Sequence, residues 1–171
     1  MFRERGKYHR FAMTAMAVSG LNGWRALDVE LRAAAQSFTT GTLKRFHERG
    51  CAPAELFFIL GADAFLEVGS WKDYPAILDH AHFAVVSRPG FPVEALPGQL
   101  APLAARMRRP PLDASGQPAQ PDPLIWLIAA ATADVSSTAI RDRSAAGLSI
   151  AGLVPPAVEQ HIEQHGLYAS M

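Results

Sequence analysis

Apolar and polar positions along this chain fall into two textures: unbroken apolar runs of strand length, and stretches with helical spacing. Glu55-Leu56-Phe57-Phe58-Ile59-Leu60 is a nearly continuous apolar run closed by Gly61. Such a run predicts a strand buried on both faces of a parallel sheet. Residues 82–87, halted by Arg88-Pro89-Gly90, and residues 123–128 predict two more. Helical patterns occupy residues 11–18, 39–47, 62–68, 71–81, 100–107, 136–146 and 155–165, several stopped by a glycine. Residues 26–31 alternate weakly and predict a short strand. Strands separated by helices are the mark of right-handed parallel crossovers, so the predicted class is α/β, a parallel sheet flanked by helices. Nine of the thirteen prolines fall between Pro89 and Pro123. Proline lacks the N–H that helices and ladders need, so residues 91–123 are predicted to form a connection.

Composition narrows the picture. The 171 residues suffice for one domain with a substantial core, predicted to span 1–171. Sixteen basic residues balance sixteen acidic ones, without the basic excess of a nucleic-acid surface. Arg106-Met107-Arg108-Arg109 is the one basic cluster, and its proline-rich setting without interleaved aromatics reads as a solvated loop. The single cysteine, Cys51, excludes an internal disulfide framework and fits a reducing compartment. The N-terminal residues are charged and lack the apolar core of a signal peptide. The longest apolar run, residues 124–131, is far short of a membrane span. These features predict a soluble, cytoplasmic protein with no membrane or nucleic-acid partner; assembly into a homo-oligomer stays open.

The stretch richest in chemistry is Val135-Ser136-Ser137-Thr138-Ala139-Ile140-Arg141. Ser136 or Ser137 can cap the following helix while its first N–H groups point outward. Thr138 adds a hydroxyl, and Arg141, three residues on, shares its face. A helix N-terminus with hydroxyls and a following Arg is suited to phosphate. A plain Ser cap beside a surface Arg gives the same pattern, and the stretch alone does not decide between them.

The surrounding sequence adds to this. The stretch resembles the Ile-Ser-Ser-Thr-x-Ile-Arg signature of the nicotinate-nucleotide adenylyltransferases, with Val135 in place of Ile. Ser37-Phe38-Thr39 with Thr42-Leu43 is similar to that family's Ser-Tyr-Thr-x-x-Thr-Leu, Phe38 replacing Tyr. Phe58-Ile59-Leu60-Gly61-Ala62-Asp63 resembles its Phe-Ile-Ile-Gly-x-Asp strand end. Trp71 stands at the family tryptophan, Arg88-Pro89-Gly90 matches its Arg-Pro-Gly, and the tail from Leu153 through His165-Gly166-Leu167-Tyr168 resembles the family ending. The matches run in order from about Arg10 to the C-terminus.

The resemblance implies a Rossmann-like nucleotidyltransferase fold. It also implies transfer of AMP from ATP to nicotinate mononucleotide, giving deamido-NAD and pyrophosphate in NAD biosynthesis, with Mg2+ carried by the ATP and pyrophosphate phosphates. Gly61, Asp63, Ser136, Ser137, Thr138 and Arg141 are the implied ATP contacts, with Arg141 stabilising phosphate charge during transfer. Thr39, Trp71 and Arg88 are the implied contacts to nicotinate mononucleotide. Trp71 is often followed by Tyr in relatives and here by Lys72. A related adenylyltransferase with another acceptor, such as pantetheine phosphate, is the alternative within the fold; Trp71 with Thr39 favours nicotinate.

Family members begin with a strand running into Gly-Gly-x-Phe-x-Pro-x-His-x-Gly-His, whose histidines contact the ATP phosphates. That motif does not occur in these 171 residues. The expectation is therefore a chain without the first strand or strands of the sheet, through a late gene start or as a catalytically dead nucleotide-binding remnant. The histidines present do not replace the motif. His80-Ala81-His82 reads as incidental, and His161 with His165, at the i, i+4 spacing zinc can use, reads as a capping or packing pair. No protein metal site is predicted.

Overall fold

A computed structural model describes residues 2–31, 37–110 and 122–169, the first four as backbone only. Contacts divide the chain into two compact units, Gln36–Asp134 and a second made of Met1–Ala35 with Val135–Met171.

The first unit is built on a sheet of four parallel strands, β1 (Phe57–Gly61), β2 (His82–Val86), β3 (Met107–Arg108) and β4 (Ile125–Ile128), in the order β1-β2-β4-β3. Helices α2 (Thr39–His47), α3 (Ala62–Leu66) and α4 (Leu96–Gln99) accompany it. The predicted α/β class is observed, and all three apolar runs form strands, two of them buried. β2 is the central strand: Phe83, Ala84 and Val85 are buried, and its register sets Phe83 opposite Phe58 on one side and Ile125 on the other. Phe65, Phe83, Ile77, Leu78, Leu96 and Ile125 are fully buried and form the centre of the core. Removing a core phenylalanine of this kind costs about 3–5 kcal/mol.

β1 departs from expectation. It lies at the edge of the described sheet, and Phe57 and Ile59 are 44% and 66% exposed while Phe58 and Leu60 pack on the core. An apolar run reports apolar side chains, not whether both faces are covered. The strand predicted at residues 26–31 does not form; Leu31 N–H bonds to the Asp28 carbonyl and closes a turn. The predicted helix at 71–81 is replaced by turns, because Asp73 adopts a left-handed φ of 64° and Pro75 follows; only Ala76–Asp79 winds, as a 3-10 turn. At 100–107 the helix is likewise a 3-10 turn, Ala101–Arg106, running straight into β3.

The arginine cluster at 106–109 is solvated at Arg108 and Arg109 but not at Arg106. Arg106 donates to the Leu78 carbonyl at 2.6 Å, the Pro123 carbonyl at 2.9 Å and Asp79 Oδ1 at 2.8 Å. One guanidinium thus joins the segment before β2 to the segment before β4, satisfying carbonyls that the prolines and turns leave without ladder partners. Of the 91–123 connection, residues 111–121 lie outside the described residues.

In the second unit α1 (Phe2–Val18) packs with α6 (Pro156–Gln164), and α5 (Ser137–Ala145) contributes Ile140 to a small core with Ile150, Val158 and Ile162. α1 extends well ahead of its predicted start at residue 11. No described helix is long and apolar enough to cross a membrane.

The sheet also holds a fully buried imidazole. His82 Nδ1 accepts hydrogen bonds from the Leu124 N–H at 2.8 Å and Trp126 Nε1–H at 3.3 Å, tying the start of β2 to the start of β4. Burial is the largest cause holding its pKa below the ordinary 6.5, and a ring that accepts at Nδ1 must be neutral there. As pH falls through about 6.5 the unfolded chain takes up this proton and the folded chain does not, so stability is full above that value and declines below it. Urea unfolding at about pH 7.5 and 5.5 should show a lower midpoint in acid. His82→Asn, which offers an acceptor near the Nδ1 position and does not titrate, should flatten that dependence. An equal acid-induced fall in the variant would remove His82 as its source.

Candidate functional site

In the sheet unit, Gly61 ends β1 and stands at the N-cap of α3, whose first turn carries Asp63. The register pairs Gly61 with Val86, so Arg88 lies two residues beyond the same carboxyl edge. Arg88-Pro89-Gly90-Phe91 forms a tight turn, with Arg88 and Phe91 exchanging backbone hydrogen bonds at 2.8 and 3.2 Å and Gly90 at φ 81°. Pro before a glycine of positive φ is what a type II turn requires. Gly61, Asp63 and Arg88 are thereby brought together at the edge where open α/β sheets bind ligands.

Thr39 and Trp71 also approach one another through neighbours. Thr39 opens α2, whose N-cap, Phe38, makes no side-chain capping bond. Thr40 Oγ1 donates to the Lys72 carbonyl at 3.1 Å, and Lys72 Nζ stands 4.8 Å over the Phe38 ring. Trp71 is half-buried and meets the Phe58 ring edge-on, 6.0 Å between centroids at 89°. It packs at the margin of the core with part of its surface outward.

The second unit holds the phosphate-type motif. Ser136 is the N-cap of α5 and its hydroxyl accepts from the Ala139 N–H at 3.0 Å, so this side chain is the cap. Ser137, Thr138 and Arg141 are exposed, and Ile140 turns into the core. Ser136, Ser137 and Arg141 line a cleft of about 1060 Å3 whose opposite walls come from α1 and α6, with His9, Arg10, His165 and Tyr168 among its polar lining. Thr138 does not line it. A positive helix end, a free hydroxyl and two guanidinium groups give the cleft a bias for anions.

His9, His161 and His165 also meet in this unit, and sequence reasoning passed over the first of them. His9 Nδ1 lies 3.0 Å from His161 Nε2, and the His165 ring centroid is 4.2 Å from that of His161. Burial is the main cause holding the pKa of His161 below 6.5, followed by the neighbouring His165 and His9. The signal for His161 and His165 is their helical spacing; 152 residues separate His9 from His161, and no local pattern reveals that contact.

A methyl group on residue 61 would collide with Asp63 Oδ1 and would stand 2.6 Å from Arg88 Cδ. Gly61→Ala should therefore displace both side chains and lower stability by about 1–3 kcal/mol, read as a fall in the urea midpoint. An unchanged midpoint would show that the two side chains swing aside freely.

The cytidylyltransferase-like family profile matches residues 6–143. A probable nicotinate-nucleotide adenylyltransferase of Desulfatibacillum aliphaticivorans is 36% identical over 171 residues, covering 93% of this chain and 74% of that protein. Its counterpart in Geotalea uraniireducens is 35% identical over 160 residues, covering 93% and 73%. Among solved structures, Plasmodium falciparum nicotinic acid mononucleotide adenylyltransferase complexed with NaAD superposes with a TM-score of 0.58 at 18% identity, over 94% of this chain and 73% of that one, a likeness of fold. The sequence relationship and the parallel sheet lead to one conclusion: this chain belongs to the nicotinate-nucleotide adenylyltransferase family.

Proposed function

We propose that this chain transfers the adenylyl group of ATP to nicotinate mononucleotide, forming deamido-NAD and releasing pyrophosphate, as a soluble enzyme of NAD synthesis in the cytoplasm. The observation that carries the reading is family membership together with the capped N-terminus of α5, where Ser137 and Arg141 face an anion-biased cleft.

In this reading the phosphate of nicotinate mononucleotide attacks the α-phosphorus of ATP, a P–O bond forms there, and the bond to the β-phosphate oxygen breaks to release pyrophosphate. No covalent enzyme intermediate is involved, and the protein contributes alignment and neutralisation of phosphate charge. The free N–H groups of α5, the Ser137 hydroxyl and the Arg141 fork receive phosphate oxygens, while Thr138, exposed outside the cleft lining, is left without that role. Ser136 holds the helix end in shape by capping it. Gly61 and Asp63 serve the ATP side, with Asp63 accepting from ribose hydroxyls. Thr39 offers its N–H to the nicotinate carboxylate, Trp71 its ring face to the nicotinate ring, and Arg88 its charge to the mononucleotide phosphate. Mg2+ enters as part of the ATP and leaves with pyrophosphate, held by phosphate oxygens and water.

The His-x-Gly-His element of the family is not among the 171 residues. The informative assay therefore measures deamido-NAD from ATP and nicotinate mononucleotide with this chain and with a form extended by the family's Gly-Gly-x-Phe-x-Pro-x-His-x-Gly-His segment. The extended form should turn over at least about a hundredfold faster, since each preorganised phosphate donor is worth that much. In that form Arg141→Ala should lower kcat/KM at least tenfold, about 1.4 kcal/mol. Dinucleotide formation by neither form would favour a nucleotide-binding protein without turnover, and an unaltered kcat/KM would reduce Arg141 to a surface residue.

A further inference from the structure

We propose that His9, His161 and His165 form a three-histidine binding site for a divalent transition metal of the zinc class, distinct from the magnesium of the adenylyl-transfer reaction. One potential ligand atom from each ring lies within 4.8 Å of the other two, and His9 Nδ1 stands 3.0 Å from His161 Nε2. Two of the three stand at i and i+4 at the end of α6, the spacing that puts two imidazoles on one helical face, and α1, which packs on α6, supplies the third.

The hydrogen bonding prepares the rings for this role. A carbonyl oxygen only accepts, so His165 Nδ1, 3.0 Å from the His161 carbonyl, carries the proton and leaves the Nε2 lone pair for a ligand. A backbone carbonyl holding the remote ring nitrogen is the usual outer support of a metal-binding histidine. A hydrogen bond between His9 and His161 would by itself account for two rings. The bond from His165 Nδ1 to the His161 carbonyl orients the third ring, at centroid distances of 4.2 and 5.0 Å from the others, so that its Nε2 is the nitrogen left for the cluster. Tetrahedral zinc with Zn–N bonds near 2.0–2.1 Å needs nitrogens about 3.3 Å apart, so small side-chain rotations from the observed spacing suffice.

An all-imidazole donor set selects zinc, copper or nickel over magnesium, which prefers oxygen. Three protein ligands leave a fourth position for water or an anion. His9 and His165 both line the cleft that carries Arg141, so that position is reachable from it.

The test uses the tag-free chain, stripped with chelator and titrated first with Co2+ and then with Zn2+. One equivalent of Co2+ should give the strong visible bands of a tetrahedral site, and one equivalent of Zn2+ should abolish them. His9→Gln and His165→Gln, at half-buried and exposed positions, should each weaken zinc binding at least about tenfold with the far-UV circular dichroism unchanged. His80→Gln, in the other unit, should bind zinc as the parent chain does. Absence of the cobalt bands, or equal zinc affinity in the parent and both cluster variants, would overturn the proposal. Neither readout involves adenylyl transfer, so the outcome is independent of the function proposed above.

Discussion

Everything in the sheet unit depends on β2 being paired on both edges and covered on both faces. Its N–H and carbonyl groups are satisfied by β1 and β4, and its side chains Phe83, Ala84 and Val85 have no route to solvent. A strand in that position fixes the heights of its neighbours, because a slip of one residue would turn Phe83 and Val85 to the opposite face. The register in turn fixes where β1 ends, and so where Gly61, Asp63 and Arg88 meet. His82 at the bottom of the strand and Arg106 beside it satisfy the backbone groups where the ladder gives out. The candidate ligand edge is in this sense a consequence of core packing some distance below it.

The second unit uses a different device. α5 is short and nearly all polar, and only Ile140 anchors it in the small core with Ile150, Val158 and Ile162. A helix with so little buried area presents its N-terminus and most of its side chains outward, and Ser136 supplies the capping bond that keeps that end formed. Ser136 thus acts on the geometry of the site, while Ser137 and Arg141 are free to act on what enters it.

Several features were legible in the sequence because they are local. Three apolar runs mark β1, β2 and β4, and helix bounds at 39–47 were recovered to the residue. A Ser cap at the start of α5 is legible from the hydroxyls, with the structure choosing Ser136 over Ser137, and Arg88-Pro89-Gly90 marks where β2 stops. Failures came where local pattern and backbone geometry part company. Residues 71–81 have helix-compatible composition, yet Asp73 at positive φ and Pro75 break the winding. Met107 and Arg108 read as loop because two residues are too few to show a strand period, and only pairing with Ile125 and Trp126 makes them one.

What the sequence determined by itself is the class of fold and the family, and it nominates candidate nucleotide contacts, since periodicity, caps and motif order are properties of neighbours along the chain. What only the tertiary structure decided are the contacts between distant segments. The exposure of Phe57 and Ile59, the three carbonyl and carboxylate partners of Arg106, and the approach of His9 to His161 across 152 residues all belong here. An apolar run does not say how many of its faces are covered, and a histidine does not say which histidine it will meet. Those outcomes are set by packing, where strand order and helix docking choose each side chain's surroundings.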